Sequence, residues 1–388
     1  MRGPPSFLPA DRDATDARRT APVRTILAAA DAQLAGLSPS YFALVMATGI
    51  VSLGARLLGV AGVDVALFAI NIVAYLTLWA LTALRLARHR DALLRDLTDH
   101  QRAVGFLTTV AGTCVLGAQT ILIAHSVAIA TGLLIFAAIL WVLLTYTIFT
   151  ALTIKRDKPS LAEGINGGWL LAVVATQAIA VLIALLSTHW HQPLRLHVNF
   201  IALSMWLWGG MLYIWVISLI FYRYTFFRFS PADLAPPYWI NMGAMAISVL
   251  AGSLLIANTP DAPFLRSLRP FLEGFTVLYW ATGTWWIPII AILAIWRHGF
   301  RRLPLTYDPL YWGAVFPLGM YAVATYKMAD AMSLGFLDFI PDIFFWIALT
   351  AWLLTSIGMV RSLVRRLAAS ARPPVQDRER EASASVPG

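Results

Sequence analysis

One residue pair in this chain is placed to act on a solute: a phenylalanine followed directly by a proline, on an apolar helix otherwise lined with Gly, Ala and Thr. The segment DPLYWGAVFPLGMYAVATYKMADA holds Phe316 and Pro317. Pro317 removes a backbone donor and clashes with the preceding turn, so a kink is expected there. Phe316 stands about eight residues in from Asp308, roughly 12 Å deep at about 1.5 Å per residue. Two readings are open: the ring is packing, or it plugs a narrow lumen. Lys327, one of three lysines in the chain, lies near the far end of the same segment, where it can snorkel to the interface. It is either an interfacial anchor or an electropositive lure for anions at an outer mouth. His189, His191 and His197 cluster without the carboxylates or helical spacing of a metal site.

Other chemistry finds no support. The sequence holds no GxxxxGK[ST] phosphate loop, no HExxH and no Cys-His haem pattern. Apart from Lys327, and charged residues near span ends such as Arg56 and Glu273, the apolar segments lack Asp, Glu, Lys and Arg, so no proton relay is expected. Thr48, Gln119, Thr176, Gln177 and Asn241 are neutral polar groups that either bond a solute or bond across helices. No nucleophile, base and metal come together, so neither an enzyme nor a cofactor is expected. The single cysteine, Cys114, excludes an intrachain disulfide and reads as a small packing residue.

The elements that must position these residues are membrane helices. A hydrophobic fraction of 59%, a charged fraction of 13% and a mean hydropathy of +0.71 place the chain outside the soluble class. The net charge of +9 sits in loops, which argues against a nucleic-acid partner and leaves lipid as the surrounding one. Spans fall near 39–59, 63–86, 104–125, 127–152, 165–188, 197–222, 237–257, 270–297, 309–333 and 340–364. They form one expected membrane domain over 38–366, between disordered tails over 1–37 and 367–388. A basic cluster follows every even span: Arg85, Arg88 and Arg90; Lys155, Arg156 and Lys158; Arg223 and Arg228; Arg297, Arg301 and Arg302; Arg361, Arg365 and Arg366. The opposite loops offer only Arg56, Arg195, Arg266 and Arg269, so both termini are expected in the cytoplasm of a multi-pass protein of the bacterial inner membrane.

The odd spans repeat. Each opens with an aromatic residue and carries a small one seven positions later: Phe42/Gly49, Phe106/Thr113, Trp169/Thr176, Trp239/Ala246 and Trp312/Gly319. The aromatics are about 64, 63, 70 and 73 residues apart, one helical hairpin each. Thr48, Gly49, Thr113, Thr176, Ala246 and Gly319 are therefore candidates to line a path, with helix packing as the other reading. Trp169, Trp239 and Trp312 stand where interfacial anchors are expected. Even spans put Trp in their bodies, at Trp79, Trp141, Trp208, Trp215, Trp280, Trp285, Trp286, Trp346 and Trp352. Such bulk suits a surface facing lipid or a neighbouring subunit.

The opening PSYFALVMATGIVS of the first span and FPLGMYAVATYKMADA of the ninth, with the ten-span plan, resemble the tellurite-resistance/C4-dicarboxylate transporter family over about residues 38–366. That family includes fungal malate permeases, sulfite exporters and plant slow-type anion channels. The resemblance implies an all-α fold in which odd helices form an inner five-membered ring around a pore and even helices surround it. It also implies a homotrimer and a pore occluded by a phenylalanine of the ninth helix, which maps onto Phe316. Lys327 falls where plant members have a lysine, but the long regulated tails of those channels are missing, and the first-span motif is nearer to the dicarboxylate and sulfite branches. The implied function is passage of small anions such as chloride, nitrate, sulfite or dicarboxylates through a channel. Alternatives are a carrier for malate, succinate or sulfite, and a membrane sensor or scaffold.

Overall fold

A computed structural model of the chain describes residues 28–370 apart from 29, 229, 231, 232 and 305. Among them there is no strand. The long helices are α1 (Ala43–Leu57), α2 (Val63–Arg88), α3 (Leu107–Leu122), α4 (Val127–Ile154), α5 (Leu171–Ser187), α6 (Leu194–Phe226), α7 (Ile240–Ala257), α8 (Pro263–Ile295), α9 (Trp312–Met332) and α10 (Phe339–Ser370). Among the described residues, 9 helical stretches are long and apolar enough to cross a membrane. The helix outside that set is α9, long enough at 21 residues but diluted in hydropathy by Tyr321, Tyr326 and Lys327.

Every odd helix is preceded by a short 3-10 turn: Pro39–Phe42, Ala103–Phe106, Gly167–Leu170, Pro236–Trp239 and Pro309–Tyr311. Three of these turns begin on proline, whose missing N–H is no loss in a first turn. Side chains satisfy other first-turn donors. The amide of Gly168 donates to Asn166 Oδ1 at 2.7 Å and that of Leu310 to Asp308 Oδ1 at 2.8 Å. These turns therefore start sharply at one common end of the molecule.

Burial separates two layers. The apolar windows of α1, α3, α5 and α7 with their leading turns are 72%, 100%, 94% and 89% buried, against 22%, 17%, 44%, 22% and 11% for the even helices. Contacts close a cycle in the inner layer: α1 packs on α3, α3 on α5, α5 on α7, α7 on α9 and α9 back on α1. Each even helix packs on the odd helix that precedes it and touches the next one as well. Most of the large apolar side chains left exposed, such as Leu76, Leu143, Ile214, Leu278 and Leu354, lie on the even helices, as a hydrocarbon surrounding requires.

Hydrogen bonds tie the layers in one repeated direction, from an aromatic donor outside to the following odd helix. Tyr75 of α2 bonds Thr113 of α3 at 3.1 Å, and Trp141 Nε1 of α4 donates to Thr176 Oγ1 of α5 at 2.9 Å. Trp206 Nε1 of α6 donates to the Ser248 carbonyl of α7 at 2.8 Å, and Trp280 Nε1 of α8 to Thr325 Oγ1 of α9 at 3.0 Å. Trp352 Nε1 of α10 closes the set on Thr48 Oγ1 of α1 at 2.9 Å. An indole N–H has no water to turn to in hydrocarbon, so each such bond fixes the rotation of one helix against another.

Several expectations need correction. Trp286 and Trp352 are buried, and Trp79, Trp141 and Trp280 are half-buried, so only Trp208, Trp215, Trp285 and Trp346 form an outward set. The indole needs an acceptor, and the inner helices supply it. Trp312 is fully buried rather than an interfacial anchor, while Trp169 gives its N–H to the Gly164 carbonyl at 2.9 Å. Helix α8 starts at Pro263 and passes through Pro270, earlier than the apolar run implied, because Arg269 and Glu273 pair at 2.8 Å along its polar first turns. Residues 30–35, assigned to a disordered tail, are helical. Asp31 pairs there with Arg88 and His89 at 3.3 and 3.1 Å. The tail calls over 1–27 and after 370 lie outside the described residues.

The layered bonding makes a direct prediction. Trp206→Phe, which removes a buried donor, is expected to lower stability in detergent by about 1 kcal/mol. Trp208→Phe, on an exposed face, is expected to leave it unchanged. Equal unfolding temperatures for the two variants would contradict this role for the indole bonds.

Candidate functional site

Two cavities lie along the axis of the inner layer, and each takes its walls from all five odd helices. The first opens among their N-terminal turns and has a volume of about 350 Å³. Its walls include Ser38, Ser40, Ala43 and Met46 before and on α1; Arg102, Gly105 and Thr108 at α3; Asn166, Gly168 and Leu171 at α5; Ala235, Pro237 and Ile240 at α7; and Asp308, Gly313 and Phe316 at α9. The second, about 40 Å³, lies among the C-terminal halves and is walled almost wholly by apolar side chains.

The second cavity shows an ordered repeat. Each helix contributes a residue, a second three positions on and a third four further: Ile50, Leu53 and Leu57; Val115, Ala118 and Leu122; Ala178, Val181 and Leu185; Ile247, Leu250 and Leu254; Met320, Val323 and Lys327. Those spacings keep one face of a helix on one line. Lys327 occupies the position that is leucine in the other four copies. It is the one Lys, Arg, Asp or Glu in that wall, with its Nζ 3.6 Å from Asp330 and 5.6 Å from the Tyr326 ring centroid.

On α9 the walls of the two cavities lie one turn apart, as Met46 and Ile50 do on α1. Phe316, 1% exposed, belongs to the first, and Met320, one turn further, belongs to the second. Pro317 next to it is buried against α7. A Cβ added at Gly243 would stand 2.6 Å from Pro317 Cγ and 3.2 Å from its Cα, so this contact has no room for a side chain. Gly243 sits four residues after Trp239, the place that Phe316 holds after Trp312. One copy of the repeat thus supplies the ring, and the neighbouring copy gives up its side chain to make space for Pro317.

The small residues expected to line a path line neither cavity. Thr48, Thr113 and Thr176 accept the outer-layer bonds described above, and the hydroxyls of Thr113 and Thr176 donate within their own helices to the Thr109 and Ala172 carbonyls. Gly49 faces Asn71 and Gln119, whose amides bond each other at 2.6 Å. Gly319 packs on Ile50 and Val51 of α1, and the Ala246 backbone lies beside Gly283 of α8. The physical reason is rotation: the lumen face begins one or two residues later in each repeat, and each residue turns a helix by about 100°. Gln177 and Asn241 also bond across helices, Gln177 Nε2 to the Trp206 carbonyl at 3.0 Å and Asn241 to Tyr224 at 3.5 Å. Cys114, read as packing, is at the wall of the second cavity. Among the described residues no group of His, Cys, Asp and Glu could hold a metal ion, the three histidines included.

Arg102, Ser38, Ser40, Asn166 and Asp308 were not legible as cavity residues, because they fall in loops before the apolar runs or in their first residues. The repeated apolar face was legible in principle: Leu57, Leu122, Leu185, Leu254 and Lys327 recur at the hairpin period. Electrostatics at the first cavity come from Arg102, exposed along part of its length, and from Asp308. Nearby Tyr307 adds no charge, since burial pushes its hydroxyl up to about 12.

Comparison with known proteins agrees with this architecture. A family described as voltage-dependent anion channel (SLAC1) matches residues 36–360. An uncharacterized transporter of Methanocaldococcus jannaschii is 28% identical over 337 residues, 82% of this chain and 91% of the relative. A second uncharacterized transporter from that organism is 25% identical over 338 residues, 84% of this chain and 94% of the relative. An uncharacterized membrane protein of Mycobacterium tuberculosis is 39% identical over 161 residues, 42% of this chain and 81% of the relative.

The contact between Gly243 and Pro317 is testable. Gly243→Ala is expected to cost about 1–3 kcal/mol by overpacking, read as a lowered unfolding temperature in detergent. An unchanged temperature would mean that α9 yields freely at its kink.

Proposed function

The chain belongs to the voltage-dependent anion channel family, whose members are membrane channels and transporters rather than enzymes, and from that premise we propose that it conducts small anions along the axis of its odd helices. The observation that supports this reading is the pair of cavities, each walled by all five odd helices, with the buried Phe316 in the wall of the first and Met320, one turn on, in the wall of the second. In it, α9 is a tenth span that closes an inner ring around a pore. The aromatic ring of Phe316 is the gate, and Pro317 is the backbone irregularity that holds it in the lumen. Beyond the gate the wall is apolar, so a closed lumen excludes water as well as ions. Chloride, nitrate and sulfite are of the size class that such a lumen admits.

Anion preference follows from the placement of charge. No carboxylate lines the second cavity, and its one charged side chain is Lys327, whose partner Asp330 stands outside that wall. The 3-10 turns that open the odd helices gather around the first cavity, so the positive ends of their dipoles point toward it. The surrounding assembly is a homotrimer, as the family resemblance implies, in the bacterial inner membrane. Both termini are cytoplasmic, on the side where the even helices end in basic residues.

Phe316→Ala is expected to raise chloride flux through reconstituted vesicles by about tenfold or more, the change that removal of about 1.4 kcal/mol of barrier gives. A folded variant with unchanged flux would remove Phe316 from the gate. Saturating exchange of malate or succinate without current would identify a carrier instead.

The single cysteine gives an independent check. Cys114 lies beyond Phe316 as seen from the Arg102 end, so a small charged thiosulfonate applied at that end is expected to modify it faster in Phe316→Ala than in the unaltered protein. Equal rates would place the barrier elsewhere.

A further inference from the structure

Asp96 holds only one edge of Arg102. Arg102 Nε donates to Asp96 Oδ1 at 2.7 Å and Nη2 to Asp96 Oδ2 at 3.0 Å. Asp96, at the end of the short helix Arg90–Leu97, also takes Nη2 of Arg85 at 2.7 Å. Arg85 is buried at the end of α2, and its Nε and Nη2 donate to the Ala35 carbonyl at 3.1 and 2.9 Å. Two guanidinium groups and one carboxylate leave one net positive charge. Arg85 cannot present it, being enclosed. The Arg102 side chain is 42% exposed and stands in the wall of the first cavity.

A guanidinium carries five N–H donors, arranged as two usable forks. Asp96 fills the fork made by Nε and Nη2, and among the described residues no second acceptor is bonded to this side chain. The fork of Nη1 and Nη2 is left over. We propose that Arg102 determines specificity, its free fork binding a planar monovalent oxyanion such as nitrate, bicarbonate or a monocarboxylate at the entrance, with Asp96 and Arg85 as positioning residues.

Shape decides the class. Two coplanar oxygens match the fork and take two parallel charge-assisted bonds, whereas a spherical halide meets the same group only as a point charge. Charge decides the valence, since the Asp308 carboxylate in the same cavity wall opposes a second negative group on the ligand. The inference rests on the reading that this cavity lies on an anion path, but binding and passage are separable.

The test compares nitrate with bromide, anions of similar hydration but different shape, in vesicles carrying the full chain. Arg102→Lys keeps the charge and removes the fork. It is expected to lower the nitrate-to-bromide flux ratio by about tenfold, the loss of one charge-assisted bond. An unaltered ratio in a conducting variant overturns the proposal. A second measurement needs no flux: nitrate is expected to raise the unfolding temperature of the unaltered protein in detergent more than equal bromide does, and Arg102→Lys to abolish the difference. Equal stabilisation by the two anions in the unaltered protein also overturns it. Absence of any flux, even in Phe316→Ala, would sink the channel reading while nitrate-selective stabilisation through Arg102 still stood.

Discussion

The architecture depends on a donor that hydrocarbon cannot satisfy. An aromatic N–H or O–H turned toward lipid would stay unbonded, at a cost that water-exposed surfaces never impose. Here Tyr75, Trp141, Trp206, Trp280 and Trp352 each reach inward to an oxygen of the next odd helix. Apolar surface supplies little drive for one helix to choose another inside a bilayer. Directed bonds therefore decide which face of each odd helix is turned outward, and the remaining faces follow.

With the outward face fixed, a helix of the inner layer has two kinds of surface left. Glycines and alanines take the close approaches: Gly49 beside the Asn71 and Gln119 amides, Gly243 under Pro317, Gly319 against Ile50. Larger apolar side chains turn to the axis, as Ile50, Leu53 and Leu57 do on α1. Small residues let backbones meet, and bulkier ones narrow the space between them. The apolar axis is a consequence of that division of labour, and an apolar constriction can close to water without any charged bolt.

The fifth copy breaks the pattern in two places, and both lie on the axis. A phenylalanine replaces the smaller residues of its register, at a level where Gly243 in the adjacent copy has no side chain. A lysine replaces leucine at the mouth. Four near-equivalent helices supply a frame, and the departures on α9 put a buried aromatic ring and a charge in the cavity walls. At the opposite end the charge comes from outside the repeat: Arg102 precedes α3 and is held by Asp96, which the buried Arg85 fixes in turn.

Read alone, the sequence carries the membrane class, the approximate spans, the hairpin period and the singular Phe316–Pro317 pair, because hydropathy and proline chemistry act locally along the chain. It could not determine helix rotation. Thr48, Thr113 and Thr176 are as compatible with a lumen as with an interface until Trp352, Tyr75 and Trp141 claim their hydroxyls, from positions far away in the chain. The same holds for Arg102, whose loop reads as an ordinary basic linker until Asp96 and Arg85 fold against it and leave half of its guanidinium free. Tertiary structure decided these points because a one-residue turn of a helix, about 100°, exchanges a packing face for a lumen face without altering any local preference.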